Sequence, residues 1–279
     1  MNLPAGVLPN LKYMKCIKYL FLAVILGLHL TYPETGLAAS ALVPEKLHYT
    51  VAALWFKDAG WATISLSPAG PDEFVGIIEG QTSGVISWFT AHRRDKYQTR
   101  MQLQGGRLVP LSYIEESWRR GRHHYKEYRF DYSKHRLELW QRQENGDLEL
   151  KWATELAEPI YDPISAFYNF RLGALGPIKG GETITVAGIP YPEPEEIVIR
   201  IGLRSDEGQK VTVAIRNRAF ENESGLVHLV FDASLVPQTA WTRVLKFGKL
   251  SGRLTRQESR QSYNHPALLL GKTWAAEYP

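Results

Sequence analysis

The sequence predicts a mainly β protein built as a single antiparallel, strongly curved sheet or open β-barrel with two short helices. Three observations carry that expectation. Runs rich in β-branched and aromatic residues recur with turn residues at roughly 8- to 12-residue spacing, the pattern of all-β domains. Only two stretches show helical spacing. No internal repeat and no long low-complexity linker divides the chain, so the strands belong to one domain.

The elements follow in order. Leu47 to Phe56 reads as a strand, and Gly60 breaks it before Trp61 to Leu66. Ser83 to His92 carries Val85, Trp88 and Phe89 and suits a short helix, with a strand as the alternative. Arg107 to Ser117, Tyr125 to Tyr132 and Arg136 to Gln141 are strands, the second alternating with a period of two. Glu144-Asn145-Gly146-Asp147 is a hairpin signal ahead of Leu148 to Thr154. Asp162-Pro163 then starts a helix, with Asp at the N-cap and Pro at the first helical position, and Gly173 stops it. Strands resume at Glu182 to Ala187, Ile197 to Leu203, Lys210 to Arg216, Leu226 to Phe231, Ala240 to Phe247 and Leu250 to Gln257.

The two ends read differently. Lys12, Lys15 and Lys18 precede an apolar run from Tyr19 to Leu30, followed by Ala39-Ser40-Ala41. A basic start, a short apolar core and an A-x-A site describe a secretory signal peptide over 1–41, cleaved after Ala41. The expected compartment is the periplasm. The run is shorter than the ~20 residues of a spanning helix, so no transmembrane span is expected in the mature chain. The β-rich domain covers 42–258, and 259–279 reads as an irregular tail.

The single cysteine of the 279 residues, Cys16, falls inside the leader and ahead of its apolar run. A lipobox is thereby excluded, and the chain from Leu42 onward is expected to hold no disulfide, zinc-thiolate site or thiol nucleophile. Catalytic signatures fail one by one. Gly271-Lys272-Thr273 lacks the first glycine of a phosphate loop, since Pro266 stands there, and Gly80 to Gly84 has its serine one place late. His123 and His124 point to opposite faces of a strand and do not share a metal. Asn222-Glu223-Ser224 reads as a turn. The reading is therefore no enzyme, no metal and no cofactor.

Charge is unevenly spread. The chain carries a net +4, yet the stretch from His92 to Arg142 alone holds 13 basic and 6 acidic residues. Its densest part, Trp118 to Lys126, makes Arg119, Arg120, Arg122 and Lys126 the candidate anion site, because clustered guanidinium groups suit phosphate, carboxylate or sulfate. Outside the cytoplasm those anions are lipid head groups, lipopolysaccharide phosphates and wall polymers, not nucleic acid. Trp55, Trp61, Trp118 and Trp140 are the candidate aromatic lining of a concavity that takes an acyl chain.

Leu47-His48-Tyr49-Thr50-Val51 followed by Gly60, then Arg107-Leu108-Val109-Pro110 and Tyr128 to Tyr132, occur in an order that resembles a bacterial envelope family, domain of unknown function 3108. Asp162-Pro163-Ile164-Ser165-Ala166-Phe167-Tyr168-Asn169-Phe170-Arg171 is similar to that family's D-x-x-S-x-x-Y-x-x-R helix, and Phe231-Asp232 and Phe247 to Leu254 resemble its closing strands. The chain departs where the family often has tryptophan, at Val230-Phe231. The resemblance implies a β-rich periplasmic domain related in shape to the half-barrels of lipoprotein carriers, with no established activity and no catalytic residues. The expected function is non-enzymatic binding of a lipid, lipopolysaccharide-like or other amphiphilic anionic ligand. The alternative is a scaffold that pairs with another envelope protein through a β-edge.

Overall fold

The computed structural model describes residues 42–53, 55–156, 158–189, 196–214, 225–244 and 248–259. The leader, the cleavage site, the Asn222 to Ser224 turn, the Gly271 segment and the tail beyond Ser259 lie outside them.

Fourteen strands form one antiparallel sheet. In chain order they are β1 (Glu45–Ala53), β2 (Phe56–Pro68), β3 (Glu73–Thr82), β4 (Arg94–Gln104), β5 (Arg107–Arg119), β6 (Arg122–Asp131), β7 (Arg136–Arg142), β8 (Leu148–Glu155), β9 (Thr183–Ala187), β10 (Glu196–Ser205), β11 (Gly208–Ala214), β12 (Leu226–Phe231), β13 (Pro237–Val244) and β14 (Gly248–Ser259). Helix α1 (Gly84–Phe89) joins β3 to β4, and α2 (Pro163–Leu172) separates β8 from β9. The lateral order runs β8 back to β1 and then from β14 to β9, so β2 and β1 are central and β8 and β9 are the two edges. The edges do not pair, and the barrel stays open.

Two strands escaped the sequence reading. β3 carries two glycines in Glu73–Thr82, and β4 buries Thr99 where its alternation would have an apolar residue. Gly60 does not end a strand. It lies inside β2, paired with Val51 and Thr82.

The sheet wraps α2. Ile164 and Tyr168 pack with Phe74, Met101, Leu108, Tyr113 and Tyr128 of the β2–β7 wing. Ala166 and Phe170 pack with Ile184, Ile197, Ile199, Val211 and Phe231 of the β9–β12 wing. Enclosed by both wings, the helix is buried almost all round. Gly76 makes the close approach possible: a Cβ there would stand 2.5 Å from Ile164 Cγ2.

The helix ends and seating are polar. Asp162 accepts from the backbone N–H of Ile164 (2.8 Å) and Ser165 (3.1 Å), while its own N–H donates to Ser165 Oγ (3.0 Å), completing a capping box. Gly173 closes the helix in the left-handed region at φ 70°. Thr99 Oγ1 of β4 donates to Asp162 Oδ1 (2.6 Å). Asn169 spans to β5, donating to the Leu108 carbonyl (2.7 Å) and accepting from the Leu108 N–H (2.8 Å). Arg171 pairs with Glu45 at the start of β1, both buried. Asp162 caps the helix as its sequence suggested, and Arg171 reaches across to β1.

Candidate functional site

The candidate anion residues sit at one end of the sheet. There β1 turns into β2, α1 follows β3, and β5 turns into β6. Arg119 pairs with Arg122 across a two-residue turn whose central residues, Arg120 (φ 52°) and Gly121 (φ 71°), are both left-handed. This turn matches the twist of the two strands, and non-glycine side chains rarely occupy it. Three of the five non-glycine residues with positive φ among those described are Ala91, His92 and Arg120. They meet here, since the Arg120 N–H donates to the Ala91 carbonyl at 3.4 Å. His92 is further held by Ser87, through its ring Nδ1 (2.9 Å) and its own N–H (2.7 Å). Backbone strain gathered at one contact is a common mark of a functional segment.

Arg119, Arg120 and Arg122 are exposed. Among the described residues none of them has an ion-pair partner, whereas the neighbouring cations do: Arg93 with Asp95 (2.8 Å), Arg94 with Glu79 (2.6 Å) and Lys96 with Glu116 (3.6 Å). Lys126 is set apart from the tip. It pairs with Glu115 at 3.7 Å, four residues along β6 from Arg122. Burial raises the Glu115 carboxyl above its ordinary value, against the opposing pull of Lys126.

The tryptophans do not line a concavity, and that expectation is corrected. Trp61 pairs with Thr50 and Gln81 on the outer face of β2. Trp118 lies on the outer face of β5, stacked on His123 (4.8 Å) under the Arg94 guanidinium (5.0 Å). Trp140 is opposite Glu127, donates to Glu138 (2.8 Å) and carries the Arg129 guanidinium at 4.8 Å. Trp55 protrudes from the β1–β2 turn, 80% exposed. The physical reason is simple: α2 and its aliphatic and phenolic neighbours fill the interior, and strand alternation sends these indoles outward. There the faces of Trp118 and Trp140 serve cation–π contacts.

A feature the sequence reading missed lies beside the arginines. On α1, Val85 (54% exposed) and Trp88 (73% exposed) stand three residues apart on one side. Ile86 turns the other way and packs with Ala53, Ala59 and Phe56. Trp55 stacks at a tilt on Phe56, with ring centres 6.1 Å apart. The end of the sheet thus joins an apolar ridge to a cationic tip. The available signal was the spacing of Val85 and Trp88 in a helix too short to bury both.

A concavity lies at the opposite end of the sheet. A cleft of about 180 Å³ is lined by Leu42, Val43, Glu45, Leu66, Tyr168, Arg171, Leu172, Ser234, Val236 and Gln257. Burial drives the Tyr168 phenol well above its ordinary range, and the Glu45 carboxylate adds to this. Among the described residues no group of three or more His, Cys, Asp or Glu is placed to hold a metal. Nor is any helix there long and apolar enough to cross a membrane.

No curated protein is similar enough to match the chain. Among solved structures, it is similar to a beta-barrel-like protein of the domain of unknown function DUF1849 from Brucella abortus. The identity is 10%, 80% of this chain and 100% of that one are covered, and the TM-score is 0.50. At that identity the likeness concerns the fold, and it agrees with a curved sheet that stops short of closure. Residues 46–220, from β1 through α2 to just past β11, match the model of the family described as protein of unknown function (DUF3108), and the chain belongs to that family.

Proposed function

We propose that this chain is a non-enzymatic periplasmic envelope protein that binds an amphiphilic anionic ligand of the lipid or lipopolysaccharide class. One observation carries the reading. Arg119, Arg120 and Arg122 project from a strained turn, exposed and without ion-pair partners among the described residues, while the nearby Arg93, Arg94 and Lys96 are each neutralised. Guanidinium groups left free in this way bind phosphate or carboxylate bidentately. The basic, apolar and A-x-A features of the first 41 residues support export.

The test is titration of the purified protein with lipopolysaccharide and with inorganic polyphosphate at moderate salt. The wild type should bind both, and R119E/R120E/R122E should lose at least about tenfold, with a shallower salt dependence. Equal affinities for the two proteins would end the reading.

A specific observation also favours the scaffold alternative. β8 is an open edge with Leu148 and Leu150 exposed, although Lys151 and Glu149 punctuate it. Pull-down of an envelope protein that slows amide exchange in Leu148–Glu155 would select this reading; unchanged exchange would remove it.

A further inference from the structure

We infer that the end of the sheet carrying Trp55, Val85, Trp88 and the Arg119–Arg122 turn is a docking surface for an anionic lipid bilayer. This deepens the proposed anion binding and rests on it. A soluble anion needs the arginines and nothing else. Here two indoles and a valine stand 80%, 73% and 54% exposed on the same rim. They are held up by the Ala53, Ala59, Ile86 and Phe56 cluster beneath them. The Arg120–Ala91 hydrogen bond ties the cationic tip to the segment that follows α1. Apolar ridge and charged tip thus meet through a backbone contact.

That combination fits a bilayer better than a protein partner. Three protruding side chains fall short of the roughly 800 Å² per partner of a standard protein interface. A bilayer needs less, because indole rings settle at headgroup depth while arginines meet the phosphates around them. Either element alone gives marginal, reversible attachment, and two together give stable attachment. The acidic groups nearest the arginines are neutralised. Asp95, Glu79 and Glu116 are paired with Arg93, Arg94 and Lys96, while Asp58 and Asp147 carry no ion pair among the described residues. Glu144 is on the β7–β8 turn, several strands from the tryptophans. Docking in this orientation holds the Glu45–Arg171 cleft off the membrane by the length of β1, about 26 Å.

The experiment uses the protein recovered from expression of the full-length chain, its N-terminus fixed by mass spectrometry. Co-sedimentation compares vesicles of phosphatidylcholine alone with vesicles that also contain phosphatidylglycerol, and polyphosphate serves as the soluble anion. The wild type should partition to the anionic vesicles and not to the neutral ones, and brominated lipid should quench its tryptophan emission. W55S/W88S and, independently, V85D should lose about tenfold in vesicle binding while keeping polyphosphate affinity. R119E/R120E/R122E should lose both. Polyphosphate binding without vesicle binding, or vesicle binding indifferent to W55S/W88S and V85D, overturns the bilayer inference and leaves anion binding intact. Loss of neither ligand in the arginine variant overturns both.

Discussion

Arg171 in the last turn of α2 and Glu45 at the first position of β1 form a buried ion pair across 126 positions of sequence. The pair fastens the enclosed helix to the central strand of the sheet. Tyr168 lies beside it, and the two charges line one wall of the cleft. A buried pair contributes little net stability, because desolvation offsets the attraction, but a single survivor is costly. Arg171→Met or Glu45→Gln should therefore each destabilise by about 3–5 kcal/mol. The double variant E45Q/R171M should cost much less than the sum. Urea unfolding of the four proteins gives the coupling energy, and additive losses would show that the pair does not act as a unit.

Gly76 predicts a steric effect that a partner substitution should relieve. An added Cβ meets Ile164 Cγ2 at 2.5 Å and Met101 Cε at 3.2 Å. Gly76→Ala should cost about 1–3 kcal/mol by overpacking, and Ile164→Leu in the same chain, which removes the Cγ2 methyl, should recover part of it. Thermal unfolding of G76A and G76A/I164L measures the difference; no recovery would place the strain elsewhere.

Two buried carboxyls set a pH dependence. Burial raises Asp162, against hydrogen bonds from Thr99, Ser165 and Ile164, and burial also raises Glu115. A folded-state pKa above the unfolded value means that the folded chain binds more protons in that window. Their contribution is then fully present below the ordinary carboxylate pKa and is lost as pH rises through the raised values. Relative to D162N and E115Q, the wild type should lose stability as pH rises above the ordinary carboxylate pKa of about 4. Denaturation curves that stay parallel across that range would contradict the assignment.

Arg120 separates stability from binding. Its φ of 52° is one that asparagine adopts more readily than arginine. Arg120→Asn should raise stability by about 1 kcal/mol, or roughly 2–4 °C in Tm for a chain of this size, while weakening anion binding. Calorimetry and a polyphosphate titration on the same preparation report both. A variant that loses stability would mean that the strain at this turn is compensated by contacts of the arginine itself.

Legibility in the sequence followed distance along the chain. The alternation of Tyr128 and Phe130 with Arg129 and Asp131 reads directly as a half-buried strand, and it is one. Asp162, Pro163, Ser165 and Gly173 announce α2 because each acts within a turn of its own position. β4 was harder to read. Its inward residues include Thr99, polar because Asp162 lies opposite, and the apolar rhythm is blurred where the helix docks. Asn169 reads as an ordinary helical residue until Leu108, 61 positions away, supplies both of its backbone partners.

By itself, then, the sequence determined the antiparallel β class, the position and caps of the main helix, and the existence of a basic stretch around Arg119 to Arg122. These depend on turn chemistry, alternation and capping among near neighbours. The tertiary structure decided which face each tryptophan takes, how the interior is filled, and that Arg171 finds Glu45. It also brought α1 with Val85 and Trp88 against the arginine turn. Those outcomes depend on strand order and sheet curvature, which bring together residues whose local patterns carry no record of one another.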